Sequence, residues 1–269
     1  MIAGIRGAGE DGYTKPYSLA NFVGIGRVPP DMGVGFLNVS IIRLRSLLLA
    51  AALSFECDLV LKKNEGQAVL SINSQNPQMR LILKAVEVLR DGGVIIYPTD
   101  TVYGLGCSLS NKRGIEKIYE IKRRNKKRPL SFVCSDLKHI SQYAMVSDYA
   151  YKTMKRFLPG PYTFILEASR LVPKIILPKR PTTGIRVPDN QICLALIREL
   201  GEPIISTSVQ TQEGEDLGNP LLIDEHFRRI VDLIIDGGVI LPEPSSVISL
   251  VGDTTEIVRT GKGDVSAFQ

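Results

Sequence analysis

The stretch at residues 94–107, VIIYPTDTVYGLGC, decides how the rest of the chain is interpreted. Its first four residues form a short, wholly apolar run of the kind found in strands that are buried on both faces. A proline stops the run, and two threonines, an aspartate and a tyrosine precede two spaced glycines. The plain interpretation is a strand, a turn and a second strand. The alternative is a binding loop at the end of a buried strand, in which hydroxyls are aimed at a ligand and Gly104 and Gly106 let it approach the backbone closely.

Patterns typical of strands and helices alternate on both sides of this stretch. A helical pattern opens at Pro77 and ends at Gly92, and a second helix is predicted over residues 112–123. Further short strands are predicted at residues 130–134 (LSFVC), 162–168 (YTFILEA), 184–188 (GIRVP) and 203–207 (PIIST). The alternation predicts an α/β layered sheet, with antiparallel pairing near the end of the chain, where no helix separates the last strands.

The chain of 269 residues changes character at about residue 70. Before that point the alternation is missing, and the apolar run at residues 47–55 is too short to span a bilayer. A secretory signal fits only if translation begins later, for instance at Met32. We interpret residues 1–70 as an N-terminal extension, which is either poorly ordered, a targeting leader or a mis-called start, and residues 71–269 as the folded domain. We expect a cytoplasmic protein without a membrane partner, unless the extension directs it to an organelle.

The composition narrows the chemistry that the chain can perform. The net charge of +5 and the pI near 9.0 favour anionic partners such as nucleotide, pyrophosphate or RNA. His139 and His226 are the only histidines, which argues against metal sites and histidine-dependent triads. No C-x-x-C spacing occurs among the four cysteines, which are Cys57, Cys107, Cys134 and Cys193. We expect each of them to be a small buried apolar residue in reducing, intracellular surroundings.

The run KRRNKKR at residues 122–128 places six cations in seven positions at the end of a predicted helix. One or two such charges offset the helix dipole, but six repel each other unless an anion neutralises them. Polyphosphate or RNA would supply that anion.

Arg186 interrupts a buried apolar strand. It must therefore pair with a protein carboxylate or face an anionic ligand in a cavity, and the sequence leaves both outcomes open. The strand at residues 203–207 ends in hydroxyls, as does the strand that precedes Thr99. Two hydroxyl-ended strands in a chain with surplus cations indicate one hydroxyl-lined anionic pocket.

Six stretches resemble the Sua5/YciO/YrdC family in the same order and with similar spacing. They are VIIYPTDTVYGLGC, IYEIKRRNKKRPL, LPGPYTFIL, TGIRVPDN, IISTS and SSVISLVGDTTEIVRTGKGD. The resemblance covers about residues 76–264. It implies an α/β fold in which a twisted sheet of mixed parallel and antiparallel strands, flanked by helices, surrounds a concave basic cavity.

The best understood members of this family are L-threonylcarbamoyladenylate synthases. The resemblance therefore implies ATP, L-threonine and bicarbonate as substrates. The products would be pyrophosphate and threonylcarbamoyl-AMP, the intermediate for the N6-threonylcarbamoyl modification of tRNA adenosine. Mg²⁺ would accompany ATP as the cofactor, and no residue is assigned to it as a ligand. The resemblance also implies tRNA or double-stranded RNA as a further partner.

The resemblance also implies site residues, position by position. Lys122 and Arg124 match the family's Lys-x-Arg and would hold phosphate and carbamate as the catalytic residues. The threonine and carbamate end of the site would be lined by Thr99, Thr101, Tyr103, Thr163 and Arg186. The ATP end would be lined by Ser206, Ser208, Ser246 and Arg259.

Two stretches distinguish this chain from the synthases. The synthases usually read Ser-x-Asn where this chain has Ser208, Val209 and Gln210, and residues 136–143 (DLKHISQY) resemble the YciO branch. The chain is therefore more similar to the YciO branch, while its Lys-x-Arg favours a synthase, and Gln210 leaves the amine substrate open. The alternative function is YciO-type binding of double-stranded RNA or tRNA without this catalysis, and a third is a relative that keeps only the fold.

Overall fold

The computed structural model describes residues 68–122, 130–176 and 181–269. The helices in these residues are α1 (Met79–Arg90), α2 (Lys112–Ile121), α3 (Leu137–Tyr143), α4 (Asp148–Phe157), α5 (Gln191–Leu200) and α6 (Pro220–Phe227). The strands are β1 (Ala68–Ser71), β2 (Ile95–Tyr97), β3 (Gly104–Ser108), β4 (Ser131–Val133), β5 (Ala144–Met145), β6 (Tyr162–Ala168), β7 (Thr182–Arg186), β8 (Ile204–Ser208), β9 (Leu233–Asp236), β10 (Ser246–Ser249) and β11 (Glu256–Arg259). Two short 3-10 helices, Val251–Asp253 and Ser266–Phe268, complete the described part.

The sheet mixes parallel and antiparallel pairs, which confirms the predicted fold class. Its strands lie in the order β1-β9-β2-β3-β8-β4-β7-β6-β10-β11, and β5 pairs with β6 beside this path. The parallel pairs are β1 with β9, β2 with β9, β4 with β7, and β6 with β10. Antiparallel pairs occupy the middle of the sheet as well as its end, whereas the alternation of strands and helices indicated them only near the end.

The stretch at residues 94–107 folds as strand β2, a turn and strand β3. The two strands pair antiparallel, with Tyr97 opposite Gly104. A Cβ on Gly104 would lie 2.8 Å from Cζ of Tyr97, and a Cβ on Gly106 would lie 3.1 Å from its Cε1. Both glycines make room for the buried Tyr97 ring, and Gly104 also lines a cavity, so the close approach of a ligand expected there stays a prediction. The plain interpretation is correct for the secondary structure of this stretch.

Two apolar cores lie on opposite faces of the sheet. In β2, Ile96 belongs to the larger core and Ile95 to the smaller one, as the alternation of side chains along a strand requires. The larger core includes Ile115 and Ile118 of α2. The smaller core is formed with α1 and α5, which pack against each other. Layers of helix on both faces confirm the α/β arrangement.

The predicted N-terminal extension, residues 1–70, lies outside the described residues except for its last three, which belong to β1. Met32 and Cys57 also lie outside them. The domain boundary near residue 70 stays a prediction. None of the described helices is both long and apolar enough to cross a membrane.

The described cysteines, Cys107, Cys134 and Cys193, are buried thiols. This confirms their interpretation as small buried residues. Burial raises the pKa of Cys107 to about 12, and the nearby charge of Glu202 adds to the effect. Burial also raises the pKa of the Cys134 and Cys193 thiols well above the usual value.

We expect these three thiols to resist iodoacetamide at pH 8 in the folded protein, because the thiolate is the reactive form of cysteine and burial excludes the reagent. Peptide mass spectrometry after a short exposure measures the alkylated fraction at each position. The same exposure in guanidinium chloride is the control, in which all three should react. Equal alkylation of Cys107 in the folded and unfolded protein would contradict its burial.

Candidate functional site

A cavity of about 350 Å³ lies on one face of the central strands of the sheet. Its lining residues alternate in β6 (Thr163 and Ile165) and in β7 (Gly184 and Arg186), whereas β8 contributes the three consecutive residues 206–208. Alternate residues of a strand point to the same face, so the cavity covers that face and does not lie only beyond the strand ends. Tyr97 belongs both to this lining and to the smaller core. The cavity therefore begins where α1 and α5 stop covering the face.

Most of the predicted site residues line this one cavity. They are Thr99, Thr163, Arg186, Ser206, Ser208 and Arg259. They come from the turn after β2 and from strands β6, β7, β8 and β11, which are distant from one another in the sequence. The fold thus brings together residues that the sequence separates by up to 160 positions, from Thr99 to Arg259.

Arg186 both pairs with a carboxylate and faces the cavity, so the two outcomes left open by the sequence hold together. Its Nη2 donates to Oδ1 of Asp100, in the turn after β2. The two side chains are only 9% and 12% exposed. Nε of Arg186 and Oδ2 of Asp100 are buried, and neither has a hydrogen-bond partner among the described residues. The guanidinium is therefore held in place and still has a donor to offer.

Arg259 supplies a second guanidinium to the lining. Its Nε and Nη2 donate to the carbonyl oxygen of Ser245 at 3.1 and 2.7 Å. Burial lowers the pKa of Arg259, Asp216 opposes this shift, and the like charge of Arg186 adds to it. An arginine nevertheless stays protonated in a protein, so the described part of the lining holds two positive charges, whose repulsion an anionic ligand would relieve.

The threonines of the turn after β2 form hydrogen bonds mainly within the turn itself. Thr99 Oγ1 donates to the carbonyl oxygen of Val102 at 2.5 Å and accepts from the backbone N–H of Thr101 at 3.2 Å. Thr101 is fully buried and does not line the cavity. Such local bonds between hydroxyl and backbone are typical of tight turns. Thr99 borders the cavity, but its hydroxyl fixes the loop that carries Asp100.

Tyr103 and Ser246 are not brought to the cavity. The Tyr103 hydroxyl donates to the carbonyl oxygen of Gly238 at 2.7 Å, and burial raises its pKa to about 12, which keeps it protonated. Ser246 is fully buried, and its hydroxyl donates to the carbonyl oxygen of Gly263 at 2.5 Å and accepts from the N–H of Gly261 at 2.9 Å. Both hydroxyls therefore hold neighbouring loops and do not line this cavity, and the role expected for them at the substrate site stays a prediction.

Lys122 lies at the rim of the cavity. It follows the last residue of α2, and its Nζ donates to the carbonyl oxygen of Ser208 at 2.8 Å and to Oε1 of Gln210 at 3.0 Å. Both of these partners line the cavity. Arg124, with the rest of the basic run at residues 123–128, lies outside the described residues.

Several polar lining residues were missed by the sequence reasoning. They include Ser131, Thr182, Thr207 and Ser245. The signal that could have found Ser245 is the alternation along β10. Ile248 is fully buried in the larger core, so Ser246 shares its face, while Ser245 and Val247 point to the cavity.

The lining suits an anionic ligand that also carries hydroxyl and apolar parts. It combines the two guanidinium groups with serine and threonine hydroxyls, and with apolar side chains such as Leu130, Val133 and Ile165. Among the described residues, no carboxylate lines this cavity. They also contain no cluster of three or more His, Cys, Asp and Glu side chains that could hold a metal ion.

The family model Sua5_yciO_yrdC, whose description is "Telomere recombination", matches residues 87–261. The chain belongs to the Sua5/YciO/YrdC family. The uncharacterized protein YciO of Escherichia coli (strain K12) is 44% identical over 199 residues, which is 73% of this chain and 97% of that protein. The crystal structure of E. coli YciO has a TM-score of 0.73 at 42% identity and covers 76% of this chain and 100% of its own.

Relatives with other names match at lower identity. A putative threonylcarbamoyl-AMP synthase of Methanocaldococcus jannaschii is 34% identical over 201 residues, 74% of this chain and 94% of that protein. The crystal structure of P. abyssi Sua5 complexed with L-threonine has a TM-score of 0.66 at 28% identity, and covers 72% of this chain and 58% of its own. The family and the greater similarity to YciO, both predicted from the sequence, are confirmed.

Proposed function

We propose that this member of the Sua5/YciO/YrdC family is an ATP-dependent L-threonylcarbamoyladenylate synthase, or a close variant that uses another amine. The observation that carries the proposal is the cavity in which Arg186 and Arg259 face a space lined by hydroxyls. Relatives named threonylcarbamoyl-AMP synthase, and a Sua5 structure complexed with L-threonine, support it.

The reaction joins three substrates without a protein nucleophile. Bicarbonate takes up a proton and loses water to give CO₂, and the amine of threonine adds to this CO₂ and gives up a proton to form a carbamate. A carbamate oxygen then bonds to the α-phosphorus of ATP while the bond to the departing pyrophosphate breaks. The scarcity of histidine in the chain is no obstacle to this chemistry, because the nucleophile belongs to the substrate.

The residues of the cavity would act by orientation and charge. Arg186 and Arg259 are already fixed by Asp100 and by the carbonyl of Ser245, so they can stabilise phosphate charge without first reorganising. Holding the carbamate and ATP in one orientation supplies much of the remaining acceleration. We propose that Mg²⁺ enters with ATP as part of the substrate, which fits the absence of carboxylates from the described lining.

The test is pyrophosphate release by the purified chain with ATP, Mg²⁺ and bicarbonate. We expect release that depends on both threonine and bicarbonate, together with a product whose mass is that of threonylcarbamoyl-AMP. Omitting each substrate in turn is the control. Pyrophosphate release that is absent, or that does not depend on any amine supplied, would contradict the proposal.

The same protein preparation tests the alternative of RNA binding without catalysis. Such binding would weaken steeply with added salt, because it depends on the release of counterions. Substitutions of residues that line the cavity would leave its affinity unchanged. RNA binding with no threonine-dependent chemistry would favour this alternative. The cytoplasmic location and a tRNA partner stay predictions.

A further inference from the structure

The ammonium of Lys122 bonds to two residues at the C-terminal end of β8 and just beyond it. Its two described acceptors are the backbone carbonyl of Ser208 and the side-chain oxygen of Gln210. A side-chain substitution at residue 208 leaves the first acceptor in place. Of these two acceptors, Gln210 is therefore the one that a side-chain substitution can remove.

Gln210 is attached to a well-anchored backbone. It bridges to Asp216 across a narrow hairpin, in which the N–H of Leu217 donates to the carbonyl of Val209 at 3.1 Å. The N–H of Val209 in turn donates to the carbonyl of Tyr103 at 2.8 Å, beside β3. Gln210 lines the cavity from this fixed position and reaches Lys122 with its amide oxygen.

The length of the glutamine stem matters for this contact. An asparagine at the same backbone position would draw the amide oxygen back by about 1.5 Å, the length of one C–C bond. A contact of 3.0 Å would then leave hydrogen-bonding range unless the backbone or Lys122 moved. The length of the glutamine side chain therefore fits the observed position of the Lys122 ammonium.

We propose that Gln210 is a positioning residue that holds the Lys122 ammonium at the rim of the cavity, facing the departing pyrophosphate. This inference rests on the proposed function for the identity of the ligand. Gln210 contributes through Lys122 and not by its own contact with the reacting atoms. Its substitution should therefore change turnover more than substrate affinity.

The test compares Gln210→Leu, Gln210→Asn and the matched control Gln212→Leu, an exposed residue of the same type two positions on. We expect Gln210→Leu to lower kcat for pyrophosphate release about tenfold to a hundredfold, because it removes a charge-assisted hydrogen bond. The KM for threonine should stay within about twofold of the unaltered value. The kcat of Gln210→Asn should lie between that of Gln210→Leu and that of the unaltered protein. The kcat of Gln212→Leu should equal that of the unaltered protein.

The decisive measurement is Gln210→Leu made in a Lys122→Met background. If Gln210 works through Lys122, the second substitution adds nothing once the ammonium is gone. An equal loss in both backgrounds, or full activity of Gln210→Leu, would overturn the inference. Thermal unfolding of each variant shows whether a loss of activity reflects a loss of folded protein, and Gln210→Asn serves if Gln210→Leu does not fold.

Binding of inorganic pyrophosphate, measured by calorimetry, separates failure of the inference from failure of the proposed function. If the unaltered protein shows no threonine-dependent release, the synthase proposal fails. Pyrophosphate that binds more weakly to Gln210→Leu only when Lys122 is present would still support the positioning role. Pyrophosphate that does not bind, or binds equally to all variants, would overturn it.

Discussion

Arg186→Met is expected to lower the free energy of unfolding by about 3–5 kcal/mol and threonine-dependent pyrophosphate release by about 100- to 1,000-fold. The loss of stability follows from Asp100, whose carboxylate would remain buried without its cation. The loss of activity follows from the lining, because the substitution removes one of the two guanidinium groups that its described residues supply. Denaturant unfolding and the pyrophosphate assay measure the two effects separately.

A double variant, Arg186→Met with Asp100→Leu, distinguishes these two roles. It removes both charges and should recover most of the stability, since replacing a buried ion pair by apolar side chains is often neutral. It should not recover activity, because the cavity still lacks the guanidinium. Arg228→Met is the matched control: Arg228 pairs with Asp224 at the protein surface, and its loss should change neither measurement appreciably. Activity in the double variant, or unchanged stability in Arg186→Met, would contradict the roles assigned to the pair.

Helices and buried strands could be predicted because their signals are local. The helix α5 shows this, since Asn190 accepts a hydrogen bond from the N–H of Cys193 at its start and Gly201, with φ of +80°, ends it. Both signals are visible in the sequence as residue types. Strand β6 was predicted at its observed limits, because its apolar run lies between polar segments.

The sequence left strand β3 open between two interpretations, because the reason for this strand is not local. Gly104 and Gly106 are typical of turns, and they fit a strand here only because Tyr97 of the neighbouring strand occupies the space beside them. Strand β1 was not predicted from the sequence. It is completed by pairing with β9, more than 160 residues later in the chain.

The residue types of the site could be predicted from the sequence, but the direction in which each side chain points could not. The sequence indicated which strands end in hydroxyls and cations, and the fold gathers most of these residues in one cavity. Which of two adjacent residues points into the cavity depends on strand register, so Ser245 was missed, whereas Ser246, which was expected, does not line the cavity. The partner of Arg186 also had to come from the structure, because Asp100 lies 86 residues away.

Gly106→Ala is expected to lower the free energy of unfolding by about 1–3 kcal/mol, through overpacking. The new Cβ would lie 2.5 Å from Cγ2 of Ile204 and 2.9 Å from the carbonyl oxygen of Ile205. That carbonyl belongs to β8, which pairs with β3 along its whole length, so it cannot retreat without disturbing the middle of the sheet. Denaturant unfolding measures this loss.

Gly184→Ala is the matched comparison, because it adds the same methyl group on the cavity side. Its Cβ would lie 3.3 Å from Ser131 Oγ and from Thr163 Cγ2, a close contact with side chains that line the cavity. We expect a loss of stability below about 1 kcal/mol and an increase of about tenfold or more in the KM for ATP or threonine, since the methyl occupies space that the ligand needs. Gly106→Ala should therefore mainly lower the stability of the fold, and Gly184→Ala should mainly weaken ligand binding. The reverse result, with Gly184→Ala unfolding easily and Gly106→Ala binding poorly, would contradict the roles assigned to the two glycines.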